Sequence, residues 1–583
     1  MMMNNDIQSM LQLLLTLPEE QVREQLQTLL QQAQDAKTEE KLDEDDGIDY
    51  AAIQRDRKKE KEEIEKIVVK LKKLNAHKYY EATDSGIAQL FSDLFPMHRY
   101  NVTIKDFMYF DGQRWIPDKE SLKAGHDLKL LCDALQQYAE RIGRDNYKKE
   151  VRKISNSRGR QALLRDIKDN TEICNESLDE EDYKINVQNG VLDLSGDEPV
   201  LLPHSPRGLM SKICRAAYDP DADGSEWEKF IDTVMIGDKE KAKYLQKIAG
   251  MMLTGDTTEE KMFILYGPST RNGKSTFCEA LRYMLGDYGL AVRPETLALR
   301  NNVDSRQASG DIARMAGVRY CCVSEPRKRM TLDVALIKNL TGGDGITARH
   351  LNAREFTFKP KMTMVVNTNH LPIIPDMTLF TSNRVQVLTF DRHFEENEQD
   401  GTLKGRLREP ENLSGILNWC VRGWFMYKEE GLNPPEAVLE ATQEYRNDSD
   451  KYGMFISECL TRVEGAWMPG KQAYKLYTDW CTENGFGVEN MANFFAELKE
   501  HGIARRQTYY VKTLGKTLRN VIVGWGVSTD APGNGWEQYS GDTPFGPFDN
   551  GGKSAPATPA APAPAPAQGS KIVEYRQEEL PIA

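Results

Sequence analysis

The chain has no Cys-x-x-Cys pair, no apolar run near the ~20 residues a membrane span needs, no basic leader and no surplus of positive charge. Each absence excludes something. Without the paired spacing, its nine scattered cysteines argue against a zinc ribbon, and adjacent Cys321 and Cys322 in an apolar run suit buried, reduced thiols in cytosol. The opening MMMNNDIQSMLQLLLTL is broken by glutamines and reads as an amphipathic helix rather than a signal peptide. A cytoplasmic location with no membrane partner is therefore expected. A net charge of −13 excludes a protein that coats nucleic acid over its whole surface, but leaves room for a local basic groove or a lined pore.

What is present fits several folded domains. The 583 residues, 39% hydrophobic and 28% charged, suffice for three or four. Residues 1–78 read as a charged helical arm, solvated or self-associating, with a compact region beginning near Thr83. Residues 79–225 read as mixed α+β: DFMYFDGQRWIPD predicts a hairpin and INVQNGVLDLSG a second strand and turn. Between them, Arg141 to Lys168 carries ten Lys and Arg against three acids, a solvated helix face or a nucleic-acid contact. Residues 226–430 alternate helices and strands in an α/β pattern. Residues 436–528 return to helices and end strand-rich, and the Gly-, Pro- and Ala-rich 529–583 cannot bury a core and is expected to be a disordered tail ending in a short peptide.

The chemistry concentrates in ILYGPSTRNGKSTF, from Ile264 to Phe277. A buried-strand run meets a glycine-rich turn and then a helical pattern, the context of a phosphate-binding loop. The turn is one residue longer than usual: Pro268, Ser269, Thr270, Arg271 and Asn272 separate Gly267 from Gly273. Loop amides and the helix N-terminus would face ATP phosphates, Lys274 would neutralise them, and Ser275, followed by Thr276, would hold Mg²⁺. The extra residue is expected to bulge around Ser269 to Arg271, leaving Gly273-Lys274-Ser275 in place. GVRYCCVSEP supplies a second strand ending in Glu325, a candidate for polarising the attacking water and for the metal site, although Ser324 stands where an acid is usual. TGGDGITARHLNAREFTF reads as a hairpin whose tip carries His350, Asn352 and Arg354. In KMTMVVNTNHLP a further strand ends at Asn367, placed to orient the lytic water. FTSNRVQVLTF sets Arg384 before another strand, as a candidate arginine finger for a neighbouring subunit.

In this order and spacing, the phosphate loop, the Ser-Glu strand, TGGDGITAR, VVNTNHLP and SNRV resemble the superfamily 3 helicase domain of phage and plasmid primase–helicases. The group is related to satellite-phage and poxvirus primase–helicases, and the likeness runs over roughly residues 80 to 528. It implies an AAA+-like P-loop ATPase with a helical collar, preceded by the family's own N-terminal region and followed by a winged-helix module. It also implies a homo-hexameric ring translocating 3′ to 5′ on single-stranded DNA and unwinding forks, in the cytoplasm of a bacterial host. On that resemblance Lys274, Glu325, Asn367 and Arg384 are catalytic, and the tip residues His350 to Arg354 grip DNA. One departure is Ser-Asn-Arg where many members carry two arginines. No upstream Asp-x-Asp strand suggests a polymerising site, so a separate primase is expected. Gln577 to Ile582 resembles a sliding-clamp peptide. Two rival readings stay open: an initiator or loader switched by ATP, and a primase–helicase whose primase site lies in residues 80–225.

Overall fold

The apolar runs between Met262 and Thr389 become a five-stranded sheet in which every pairing is parallel. Its strands are β1 (Met262–Tyr266), β2 (Gly289–Val292) and β3 (Tyr320–Ser324). Then β4 (Ile346–Ala348) and β5 (Phe356–Phe358) form a separate antiparallel hairpin, and β6 (Thr363–Thr368) and β7 (Val385–Thr389) complete the sheet. The order is β7-β1-β6-β3-β2, so β1 lies between two strands that follow it in sequence. Burial on both faces explains why these strands are almost continuously apolar. The computed structural model describes residues 49–299, 310–328, 330–349, 355–484, 486–511, 516–528, 531, 538–540 and 543–545.

The chain divides into two units, one comprising Met1–His370 with Arg384–Pro435, the other Leu371–Asn383 with Glu436–Ala583. In the first, the expected boundary near Thr83 is corrected. Helix α1 (Tyr50–Leu74), which the sequence reads as part of an arm, belongs to the core that follows it. Ile64, Ile67, Val68 and Leu71 form a stripe at i, i+3, i+4 and i+7, buried with Leu128, Leu131 and Leu135 of α2 (Leu122–Ile142). Lys129–Glu60 and Arg141–Glu65 pairs, at 2.7 and 2.6 Å, flank the seam. Next come α3 (Asp145–Ile154) and α4 (Ser157–Asn170), which cover the core through Val151, Leu163 and Ile167. Both hairpins expected in this region form, Asp106–Phe110 with Trp115–Asp118 and Lys184–Val187 with Gly190–Asp193.

Helices α5 (Ser225–Val234) and α6 (Lys239–Met251) lead into β1, and α7 (Lys274–Leu285) and α8 (Val334–Thr341) follow β1 and β3. Helix α9 (Pro410–Glu430) crosses α6 with almost no side chain between the two backbones. A Cβ on Gly423 would lie 2.1 Å from the Gln246 carbonyl oxygen, and one on Gly250 would lie 2.1 Å from the Trp424 amide nitrogen. Backbone cannot yield as a side-chain tip can. Gly423→Ala is therefore expected to separate the helices and destabilise this unit by about 1–3 kcal/mol, seen as a lowered denaturation midpoint.

The second unit runs α10 (Glu436–Ser449), α11 (Lys451–Cys459), β8 (Leu460–Pro469), α12 (Gly470–Asn484), α13 (Met491–Glu500), β9 (Arg505–Val511) and β10 (Lys516–Val527). The sheet order β9-β10-β8 places the long hairpin beside the strand that follows α11. Two short strands, Gln538–Ser540 and Thr543–Phe545, extend the sheet beyond β8, which corrects the expectation of a disordered tail from residue 529. Leu371–Asn383 belongs here, since the Tyr445 hydroxyl donates to the Pro372 carbonyl at 2.5 Å and Phe380 meets the Tyr445 ring edge-on.

An ion pair ties two helix ends in this unit. His501 Nε2 meets both Asp450 oxygens at 3.0 and 3.1 Å, while its Nδ1 faces the Glu497 carbonyl at 3.0 Å. With acceptors at both nitrogens, Asp450 above all holds the imidazole above its ordinary pKa, against burial. Burial would raise the Asp450 carboxyl, but His501 and the Gly453 amide together bring it below its usual value. The His501 contribution is complete below the unfolded histidine value of ~6.5 and is lost as pH rises through the raised folded value. The Asp450 contribution is lost as pH falls through its depressed value. Thermal unfolding of this unit is expected to be most favourable to the fold between about pH 4 and 6.5, and Asp450→Asn should remove the decline above that window.

Candidate functional site

The turn after β1 is shaped by crowding. A Cβ on Gly267 would lie 2.2 Å from Asn272 Nδ2 and 2.8 Å from both Lys274 Nζ and the Phe390 carbonyl oxygen. Only glycine lets the chain pass there. The Gly267 amide donates to the Thr368 carbonyl at 3.2 Å, and buried Asn272 donates to the Ser269 carbonyl at 2.7 Å, cinching the turn. The extra residue is absorbed by two left-handed positions, Arg271 (φ 57°) and Gly273 (φ 86°). The segment after β7 braces the bulge: the Phe394 amide donates to the Arg271 carbonyl at 2.9 Å, and His393 Nδ1 to Thr270 O at 2.8 Å. Gly273-Lys274-Ser275 then opens α7, with Pro268, Thr270 and Arg271 exposed around it and Ser269 and Thr276 half-buried.

Lys274 is buried, and its Nζ donates to the Gly267 carbonyl at 3.2 Å and to Asn369 Oδ1 at 2.8 Å. Neither acceptor carries charge. Burial pulls the amine down to about 8, with Glu325 pushing weakly the other way. A buried ammonium with neutral partners is a site prepared for an anion.

Two neighbouring strands complete the constellation. Asn367, buried near the end of β6, donates through Nδ2 to the exposed Ser275 hydroxyl at 3.3 Å. Ser324 lies opposite Asn367 in the β3–β6 register. The next residue, Glu325, takes a left-handed conformation (φ 54°), its amide donating to the Asn367 carbonyl at 2.8 Å and its side chain exposed. Lys274, Ser275, Asn367 and Glu325 thus meet at the carboxyl ends of adjacent parallel strands, where α/β sheets bind ligands.

Arg384 is not with them. It precedes β7 at the amino end of the sheet, roughly 13 Å of strand from the turn at ~3.3 Å per residue. Its guanidinium pairs with the Glu260 carboxylate and donates to Thr341 Oγ1 at 2.9 Å, capping the end of α8. The β4–β5 stem forms as expected, its Thr347 and Thr357 hydroxyls 3.2 Å apart, but His350, Asn352 and Arg354 lie outside the described residues. The clamp-like peptide Gln577 to Ile582 lies outside them too.

Sequence reasoning passed over Asn369. The run VVNTNHLP holds two asparagines, and the structure gives them different tasks: Asn367 reaches Ser275 and Asn369 holds the lysine. Two asparagines two apart on a strand end were the only signal. Among the described residues there is no cluster of His, Cys, Asp and Glu able to hold a metal ion by itself, and no helix long and apolar enough to cross a membrane.

The chain matches known proteins across this region. Residues 87–236 match a family described as D5 N terminal like, and residues 265–384 a family of unknown function (DUF5906). A protein of Acanthamoeba polyphaga mimivirus that bears the name helicase is 27% identical over 365 residues, covering 59% of this chain and 38% of that protein. A helicase-named protein of Frog virus 3 is 26% identical over 300 residues, 48% of this chain and 29% of its own length. A primase-named protein of African swine fever virus is 20% identical over 380 residues, 61% of this chain and 38% of its own. The chain therefore spans less than two fifths of the length of these relatives. Among solved structures, the apo NrS-1 C-terminal region is 12% identical with a TM-score of 0.38, covering 73% of this chain and 96% of that one.

Proposed function

As a member of the primase–helicase family, the chain is, we propose, an ATP-driven DNA helicase of a replication system. The observation that carries this reading is the meeting of Lys274, Ser275, Asn367 and Glu325 at the carboxyl ends of β1, β6 and β3. The order β7-β1-β6-β3-β2 supports an AAA+-like, superfamily 3 core.

ATP is the substrate. The tight Gly267 turn, where a Cβ would collide with Asn272 and Lys274, delivers the chain to the N-terminus of α7. That arrangement suits phosphate oxygens facing backbone amides, and Lys274 would neutralise them. Ser275, exposed and oriented by Asn367, and Glu325 are the residues present for Mg²⁺, which when bound offsets charge on the transferring phosphoryl group. Glu325 points an exposed carboxylate from a fixed backbone kink, suited to aligning the attacking water. Asn369 holds Lys274 in place until phosphate takes over the contact. Arg384 lies at the opposite sheet end, so any catalytic part it plays is in a neighbouring subunit of a ring.

DNA would be gripped by the hairpin carrying His350, Asn352 and Arg354, with translocation 3′ to 5′ as the resemblance implies. In the second unit, the sequence helix–strand–helix–helix–hairpin supports a winged-helix module. Arg506, Tyr510 and Arg519 are exposed, and the Thr508–Arg519 and Tyr510–Thr517 pairings put them on one face of its hairpin. That face favours a DNA-binding module and is the observation behind the initiator reading. Forked-duplex unwinding with ATP, read for the wild type and Lys274→Ala with the oligomer measured by mass, tests the motor. Unwinding by the variant would sink it. Binding of one duplex sequence without strand displacement would favour the initiator.

A further inference from the structure

The helix pair α3–α4 is a local reversal of the protein's charge. Between Arg141 and Lys168 lie ten Lys and Arg and three acids, in a chain of net charge −13. Three of the ten are neutralised, Arg141 by Glu65, Lys148 by Glu140 and Lys153 by Glu150. Lys149, Arg152, Arg158 and Arg165 are exposed and have no ion pair among the described residues. Their placement follows the helical repeat. Val151, Leu163 and Ile167 turn inward to the core, which leaves Lys149 and Arg152 outward on α3 and Arg158, Gln161 and Arg165 outward on α4. Exposed Asp145 and Asp169 share these outward faces at the helix ends, so each helix presents a face that is basic on balance.

The surface also lacks what a single strand's bases need. Tyr147 is half-buried with its hydroxyl inside, and Tyr100 lies under Lys168, whose Nζ is 4.5 Å from the ring centroid. Neither α3 nor α4 itself carries an exposed aromatic ring to stack a base, so the chemistry of the two helices is that of phosphates. Arg158 and Arg165 are about 10 Å apart along the helix, a length over which duplex DNA presents roughly six phosphate charges.

We propose that α3 and α4 form a sequence-independent surface for the phosphate backbone of duplex DNA, distinct from the hairpin and the nucleotide site. It rests on the reading of the chain as a DNA motor only for its purpose; its test is separate. The experiment uses the full chain with Lys149→Gln, Arg152→Gln, Arg158→Gln and Arg165→Gln combined, checked for an unchanged thermal midpoint. Binding to a blunt duplex, to oligo(dT) and to vesicles of phosphatidylserine and phosphatidylcholine is measured across a salt series, alongside ATP turnover without DNA. The expected result is a duplex salt slope shallower by about 3 to 4, at ~0.9 per phosphate contact, with oligo(dT) binding and basal turnover unchanged. A set of arginine-to-lysine replacements should keep the slope. An unchanged duplex slope overturns the proposal, as does a loss confined to vesicles or oligo(dT). If duplex binding falls as expected in a protein that hydrolyses no ATP, the surface stands and the motor reading fails; active turnover with an unchanged slope has the opposite meaning.

Discussion

Lys274→Ala is expected to lower ATP turnover by roughly 10² to 10³ or more and to abolish unwinding, with the thermal midpoint little changed. The wild-type lysine is buried against two neutral oxygens, Gly267 O and Asn369 Oδ1. In that setting the ammonium gains little from its partners and loses its hydration, which pulls it down to about 8. Phosphate reverses the balance by supplying the missing charge, so nucleotide binding and protonation of Lys274 are linked. Wild-type ATP affinity should therefore weaken as pH rises through about 8, because binding must then take up a proton. Alanine removes both the affinity and its pH dependence. Asn369→Ala separates the two roles: without its carbonyl contact the amine is less well placed, but its charge remains. A moderate rise in KM with the pH dependence retained is expected, and steady-state kinetics from pH 6.5 to 9 would show it. Persistence of full turnover in Lys274→Ala would refute the assignment.

Much of this site was legible because its determinants are local. The run Met262–Tyr266, the glycines of the turn and the helix after Ser275 are contiguous, and each uses a pattern with one dominant structural solution. The expected bulge between Ser269 and Arg271 forms at Arg271, which takes the left-handed conformation. The rest depends on partners far away in sequence. Asn367 and Asn369 differ only in what stands opposite them, Ser275 for one and Lys274 for the other, and neither neighbour is visible in VVNTNHLP. Helix α1 reads as an arm because its charge is high, yet its buried stripe finds α2 more than fifty residues later. The membership of Leu371–Asn383 in the second unit was equally hidden, since Pro372 and Phe380 find their partner in Tyr445. Local chemistry could be read off; pairing across the chain could not.

Arg384→Ala is expected to reduce ATP turnover by roughly 10³ to 10⁵ in the assembled protein if its guanidinium serves a neighbour's nucleotide. The structure gives this residue a second task, because it pairs with Glu260 and caps α8 through Thr341. The two tasks predict different things. As a cap, Arg384 acts within its own chain: Arg384→Ala would lower the thermal midpoint, and Glu260→Gln would reproduce part of the effect. As a finger, it acts across a subunit boundary, and the defect can be cured from outside. A Lys274→Ala subunit keeps its arginine but cannot cradle phosphate, whereas an Arg384→Ala subunit keeps its cradle but offers no arginine. Mixed in equal amounts, two inactive proteins should regain turnover at the interfaces where an intact cradle meets an intact arginine. Activity that rises on mixing, from variants whose midpoints match the wild type, would assign Arg384 to the neighbouring nucleotide. A flat response, with a lowered midpoint in Arg384→Ala, would leave it as the cap of α8 and send the search for the finger elsewhere. Because the Glu260 pair must open before the guanidinium can reach another chain, Glu260→Gln should raise turnover in the finger case and only destabilise in the other.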